Sequence, residues 1–486
     1  MESKPQLPVL PHGSPTILSG LSETFSFHSS PEAFITSRVL TFRNSHPDLA
    51  DSRIPIRAKV LNRNVAVISS YDQVKQILSR SPEETTTFGA GQAYDELMAP
   101  FFPPPNLLLS DPPLHEPMKK IWAERMQPLP ESSGTLIQLS VRSHFRGIRS
   151  GTSIDLYESM KALSWKTLLR IFLPSSDKDD VSQGEIESLQ ETLLRGQFSL
   201  FPLSINTRFW RSPRAKGLEA RKQLQQLLKA RLANGETGCP FSMKDDSQKD
   251  DIANHLLLFT SSLAVKALAS ILTAFLLNLF VFRTGDGDNI CVAKRLLSLD
   301  NDDQNALLCS TLLETERLSP PVVGIMRRSL NEVVLKSSHE DASDTLIPKS
   351  WDVWLYFVGA SRDPAIFGST AETFAPERYY NSPTANDETR QGFAFGDGPK
   401  TCLGAALMRE VAMTVAKTCI GILPHDSGSD MNLDIQANPG HIPRGVQGWL
   451  GWQADVRPEE WARDIKQLPT QRPVKAVKVK IVRNMH

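Results

Sequence analysis

The chain has 486 residues, 40% of them hydrophobic, with 54 basic residues balanced by 54 acidic ones. This supports a large buried core and argues against a disordered chain or a nucleic-acid-coating protein, so any basic recognition surface is local. Five cysteines (Cys239, Cys291, Cys309, Cys402 and Cys419) are irregularly spaced with no CxxC pair, which points away from a zinc site or a disulfide framework and fits a reducing compartment.

Residues 1–50 carry no signal-peptide pattern, and Pro5, Pro8, Pro11 and Pro15 forbid a spanning helix. The segment reads as an extended surface arm without a membrane anchor. A cytoplasmic protein with at most peripheral membrane association is expected. From 51 to 486 the chain reads as a single domain. Two short strands, Ile56–Val60 and Val65–Ile68, run into an amphipathic helix at Tyr71–Leu78. A proline-rich loop follows at 100–105 and leads to Asp111-Pro112-Pro113-Leu114-His115-Glu116-Pro117-Met118-Lys119. Residues 154–232 are helical by periodicity, broken near Pro202 and Pro213, and 235–251 is a polar loop. The apolar run Leu256–Phe282 is long enough to cross a bilayer, but Lys266 and the cluster Thr260-Ser261-Ser262 within it favour a buried helix. In the tail, Trp449, Trp452 and Trp461 precede Val474–Ile481, which alternates like an edge strand guarded by lysines. The fold class expected is mainly α with a minor β portion.

The densest chemistry lies at Phe395-Gly396-Asp397-Gly398-Pro399-Lys400-Thr401-Cys402-Leu403-Gly404. One cysteine stands behind a glycine-shaped turn and ahead of an apolar helix. Gly396 and Gly398 permit positive φ and close backbone approach to a flat partner. The positive end of the helix favours a thiolate. A lone thiolate on one face of a planar ring is how haem iron is prepared for O–O cleavage.

This segment resembles the cysteine loop of the cytochrome P450 family, Phe-x-x-Gly-x-Arg-x-Cys-x-Gly, with Lys400 in place of the arginine. Three further segments share that resemblance in order: Glu314-Thr315-Glu316-Arg317 with Leu318-Ser319-Pro320-Pro321, then Ser361-Arg362-Asp363-Pro364, then Phe374-Ala375-Pro376-Glu377-Arg378. The resemblance runs from about Ile54 to Glu410. It implies the cytochrome P450 fold, haem b as cofactor and Cys402 as the iron ligand. Glu314, Arg317 and Arg378 would form a buried cluster locking the cysteine loop, a structural duty. His115, Lys119, Arg327 and Lys400 would clamp the haem propionates, and Phe395 would shield the sulfur. Lysine at 119 and 400 keeps the charge but loses the bidentate fork of arginine.

The chain departs from the family in the central helix. There the family places an acidic residue followed by threonine, a pair that passes protons during oxygen activation. Here Leu263 and Ala264 occupy those positions, and neither carries a proton. Ser261 or Ser262 could hold a water instead. The first expectation is therefore a monooxygenase acting on a small apolar molecule. The segment Leu200–Leu203 with Ala220-Arg221-Lys222 resembles members that oxidise isoprenoids, so a terpenoid or other secondary metabolite is the expected substrate. Electrons would come from a reductase or ferredoxin docking on Lys119, Lys120, Arg125, Lys400 and Arg409. The second expectation keeps fold and haem but uses peroxide, rearranges hydroperoxides or steers cyclisation. The third is a non-catalytic haem-binding protein.

Overall fold

The structure, a computed structural model, describes residues 17–29, 34–35, 37–38, 44, 55–60, 63–79, 87–90, 92–173, 180–197, 204–207, 210–233, 249–282, 290–336, 344–380, 391–423, 432–437 and 476–483. The chain divides into two compact units: Met1–Gly91 with Arg146–Met160 and Ser270–His486, and Gln92–Phe145 with Lys161–Ala269. Both are assembled from segments distant in sequence. No composition shift marks such a division, which is why 51–486 reads as one domain from the sequence.

The first unit is built on a five-stranded sheet. Its strands are β1 (Ile56–Val60), β2 (Arg63–Ile68), β3 (Phe88–Ala90), β5 (Gly324–Ser329) and β8 (Asp352–Tyr356), in the order β1-β2-β8-β5-β3. Only β2 and β8 pair in parallel, Val65 opposite Asp352, and the other pairings are antiparallel. Strands β6 (Val333–Leu335) and β7 (Thr345–Ile347) form a separate antiparallel pair. The central strand β8 is buried along its whole length, as expected for a near-continuous apolar run covered on both faces.

Two expectations from the sequence are corrected in this unit. Residues expected in an extended arm form helix α1 (Ile17–Ser29), whose Phe27 is buried edge-on against Trp354 at 4.6 Å. Proline stops at position 15, so nothing in the following thirteen residues prevents a helix; the proline-bearing residues 1–16 lie outside the described residues. The tail strand β10 (Lys478–Arg483) is central, not an edge: it lies between β4 (Ser153–Asp155) and β9 (Leu433–Ala437). Val479 and Ile481 are buried while Lys478 and Lys480 face out, so the alternation marks one solvated face of a paired strand. Trp449, Trp452 and Trp461 lie outside the described residues.

Helix α2 (Tyr71–Leu78) packs its buried side, Tyr71, Val74, Ile77 and Leu78, into a core shared with Leu355, Phe357 and Phe393. Two more helices of this unit position the site. They are α10 (Asn301–Leu318), capped by Asp300 accepting from the Asp303 amide, and α11 (Ala405–Ile420).

The second unit is helical: α3 (His115–Met126), all but the last two residues of α4 (Gly134–Gly147), α6 (Asp180–Gln197), α7 (Pro213–Ala233) and α8 (Lys249–Phe259) lie in it. Helix α5 (Leu156–Phe172) precedes α6 in the chain, and α9 (Ser262–Phe280) follows α8. Trp122 of α3 stacks on His255 of α8 at 4.5 Å and meets Phe259 edge-on. The apolar run is thus a helix interrupted at Thr260–Ser261. Thr260 donates its hydroxyl to the Leu256 carbonyl, and the Ser261 hydroxyl oxygen accepts from the Ala264 amide, the local competition by which serine and threonine break a helix. The segment Lys249–Phe280 is long and apolar enough to cross a membrane, and 83% of its most apolar window is buried inside the protein.

Candidate functional site

Cys402 is exposed, between a turn at Gly398–Lys400 and the start of α11. Its amide donates to the Phe395 carbonyl at 2.9 Å, closing the loop on itself. Gly396 and Gly398 both have positive φ, 73° and 65°. Asp397 accepts from the Gly398 amide at 2.7 Å and from the Ser79 hydroxyl at 2.8 Å, which pins the turn to the end of α2.

Behind the loop, the structure brings Glu314, Arg317 and Arg378 together. Arg317 donates to both oxygens of Glu314 at 2.7 and 2.8 Å, and neither side chain has any exposed surface. Arg378 adds a donor to Glu314 at 3.0 Å. The remaining Arg317 donors go to the carbonyls of Ser361, Ala371 and Thr373. A buried pair is tolerable only with its hydrogen bonds filled, and here they are. The cysteine loop leaves this cluster at Gly392, where a β-carbon would stand 2.7 Å from the Arg317 Cα. Only glycine lets the strand of loop pass so close to α10.

The nominated cations fall in both units. In the first, Arg327 lies half-buried on β5 and Lys400 ends the turn before Cys402. In the second, His115 is buried at the head of α3 and Lys119 follows one helical turn later.

On the central helix, Ser261 and Ser262 are buried. The Ser262 hydroxyl donates to Glu191 of α6 at 2.8 Å, and Lys266 donates to the other Glu191 oxygen at 3.1 Å. Burial raises the Glu191 carboxyl, but Lys266, Ser262 and Lys161 outweigh it and hold it below the usual carboxylate range. Glu191 therefore ties α6 to α9 as a carboxylate and is a poor proton donor. Leu263, Ala264 and Ala267 are the positions of α9 that are not buried, and they share one face. Leu200–Leu203 lies outside the described residues.

Two partly buried contacts have no sequence signature. Glu191 meets Lys266 across 75 residues, and Glu316 of α10 meets Arg409 of α11 across 93. A lysine inside an apolar run and a second glutamate two residues from Glu314 are the only traces they leave.

Residues 291–420, which hold Glu314, Arg317, Arg378 and Cys402, match the cytochrome P450 family model. In this region the chain is similar to cytochrome P450 proteins. Among curated P450 relatives, cytochrome P450 26A1 of Xenopus laevis is 26% identical over 284 residues, 53% of this chain and 55% of that protein. Cytochrome P450 714C2 of Oryza sativa subsp. japonica is 31% identical over 117 residues, 24% of this chain and 20% of that protein. The matches thus span from a fifth to about half of these relatives' length. The retinoic acid-bound cyanobacterial CYP120A1 structure superposes with a TM-score of 0.68 at 18% identity, covering 95% of this chain and 96% of its own. This is a P450 fold, mainly α with a minor sheet portion.

P450 proteins bind haem, and the residues present fit it. Among the described residues no cluster of three or more His, Cys, Asp or Glu is placed to hold a bare metal ion. A single thiol presented by a tight loop suits an iron that brings its other ligands in a ring. Arg327 and Lys400 supply positive charge of the kind that haem carboxylates require.

Proposed function

We propose that this protein is a haem-thiolate monooxygenase of a small apolar molecule, drawing electrons from a reductase or ferredoxin. The observation that carries the reading is the accessible face of α9, Leu263, Ala264 and Ala267, which offers no polar side-chain atom. Such a wall binds hydrocarbon by removing it from water and excludes water from the reacting bond. The names of similar proteins support an apolar substrate: an echinocystic acid 23-monooxygenase of Saponaria officinalis, and P450BioI solved with a hexadecenoic acid-ligated acyl carrier protein. A terpenoid or other secondary metabolite is the substrate class proposed.

Each residue then has a task. Cys402 would ligate the iron. Glu314, Arg317 and Arg378 would keep its loop in one conformation. Arg327, Lys400, His115 and Lys119 would balance the propionates. When bound, haem supplies the capacity to activate oxygen for insertion into a carbon–hydrogen bond.

One observation favours a second reading, in which the protein uses peroxide or rearranges an oxygenated substrate. Leu263 and Ala264 carry no proton, the Ser262 hydroxyl is donated to Glu191, and Glu191 is held as a carboxylate. An incubation of the haem-loaded protein with apolar isoprenoid and fatty acid candidates separates the two. Under a reductase system and labelled dioxygen, label in the product is expected. Product from peroxide alone would favour the second reading, and no product under either condition would overturn both.

A further inference from the structure

Glu316 and Arg409 form a pair to which the proposed activity assigns no task. Glu316 lies between Glu314 and Arg317 in sequence, yet its side chain points to a different partner and is only 5% exposed. Arg409 grips it with two hydrogen bonds, Nε to Oε1 at 2.9 Å and Nη2 to Oε2 at 2.6 Å. Burial raises the Glu316 carboxyl against the pull of Arg409, the sign of an interior acid with this arginine as its compensating charge. The Arg409 guanidinium carbon then lies 5.2 Å from the centre of the Phe395 ring, within cation–π range. The Phe395 carbonyl in turn accepts from the Cys402 amide. The contacts form an unbroken chain from a buried carboxylate to the backbone of the thiol.

We propose that Glu316 and Arg409 are positioning residues for Cys402. Their bidentate pair fixes the Phe395 ring, and through it the loop that presents the sulfur. This rests on the haem-thiolate reading above. It also changes the role expected for Arg409. The Arg409 side chain is still 37% exposed, but its charge is balanced by a buried carboxylate, which reduces what it adds to a positive docking face.

The test uses haem-loaded full-length protein and reads the midpoint potential of the iron, the red-shifted Soret band of the ferrous carbon monoxide complex, and the thermal midpoint. Arg409→Lys keeps the charge and loses the fork; Arg409→Met loses both. Both should shift the potential in the same direction as Phe395→Leu and lose the thiolate-type band several-fold faster than wild type. In the Phe395→Leu background, Arg409→Met should add nothing, because the ring it acts through is gone. Replacing the pair by Glu316→Leu with Arg409→Met should recover the thermal midpoint while leaving the potential displaced. The proposal is overturned if Arg409→Lys matches wild type in potential and band, if the Arg409 and Phe395 effects add, or if the double replacement restores both readouts. Should Arg409→Met fail to fold, Arg409→Lys in the two Phe395 backgrounds decides alone. A wild-type protein without the thiolate-type band overturns the haem-thiolate reading instead.

Discussion

Gly398 stands directly against Leu78: a β-carbon on the glycine would fall 2.2 Å from the Leu78 carbonyl oxygen. The obstacle is backbone, so it cannot rotate away, and the φ of 65° is itself costly for any other residue. Gly398→Ala is therefore expected to lose more than about 2 kcal/mol and to displace the turn before Cys402. Thermal unfolding and haem retention measure this. A variant with a wild-type midpoint and full haem content would mean that the turn does not rest on α2.

The cluster around Glu314 should show a graded response. Glu314→Ala leaves the fully buried Arg317 without its carboxylate, and Arg317→Ala leaves the reverse, each at a cost of about 3–5 kcal/mol. Arg378 has a side chain 15% exposed, and besides its bond to Glu314 it donates to the carbonyls of Phe367 and Thr370 at the partly exposed edge of the cluster, so Arg378→Ala should cost about 1–3 kcal/mol, less than either buried partner. Denaturant midpoints and soluble yield of the three variants test the order. Equal effects at all three would place the cluster nearer the surface than it stands.

Cys402 behaves oppositely, because its side chain is exposed. Cys402→Ala should leave the thermal midpoint of haem-free protein unchanged. It should abolish the red-shifted Soret band of the ferrous carbon monoxide complex. A variant that kept the band would remove Cys402 as ligand.

These contrasts show which parts of the molecule were legible beforehand. Cys402, Glu314, Arg317 and Arg378 are readable because their residue types recur at fixed local spacings, and the structure brings the last three together. The strands β1 and β2 and helix α2 are readable by period. Helix α1 was not, because the prolines before it draw attention to residues 1–16 and its ties to the sheet, Phe27 on Trp354 and Glu23 accepting from the Lys59 amide, link residues distant in sequence. The central place of β10 was hidden because its partners β4 and β9 lie far away in sequence, and alternation alone does not distinguish a paired strand from an edge. The pairing of Arg409 with a buried carboxylate was hidden because Glu316 is 93 residues distant.

His144 gives the second unit a specific pH dependence. Burial, helped by Lys166, lowers its pKa from the usual 6.5 to about 4. The folded state therefore disfavours the imidazolium, which the unfolded chain accepts freely. No cost exists above pH 6.5; the cost grows as pH falls from 6.5 towards 4 and is complete below that. At pH 5, with partial exposure discounted, the loss is about 1–2 kcal/mol. Denaturant titrations at pH 7 and pH 5 on wild type and His144→Gln measure it, and the variant should lose less stability between the two. An identical pH response would assign the acid sensitivity to other groups.

The sharpest question about chemistry lies at Ala264. It is partly accessible on α9, so the branched side chain of threonine has room there, and the helical penalty of that substitution is below about 0.7 kcal/mol. Ala264→Thr places a hydroxyl on a face that otherwise offers only Leu263 and Ala267. If oxygen insertion is the native reaction, a proton donor at this position should raise the product formed per electron consumed and lower the peroxide released. Thermal stability should stay near wild type, which separates the effect from repacking. Unchanged coupling in a well-folded variant would instead mean that the native reaction needs no proton from this helix. That outcome would agree with a Ser262 hydroxyl already given to Glu191 and would favour the peroxide-using or rearranging enzyme.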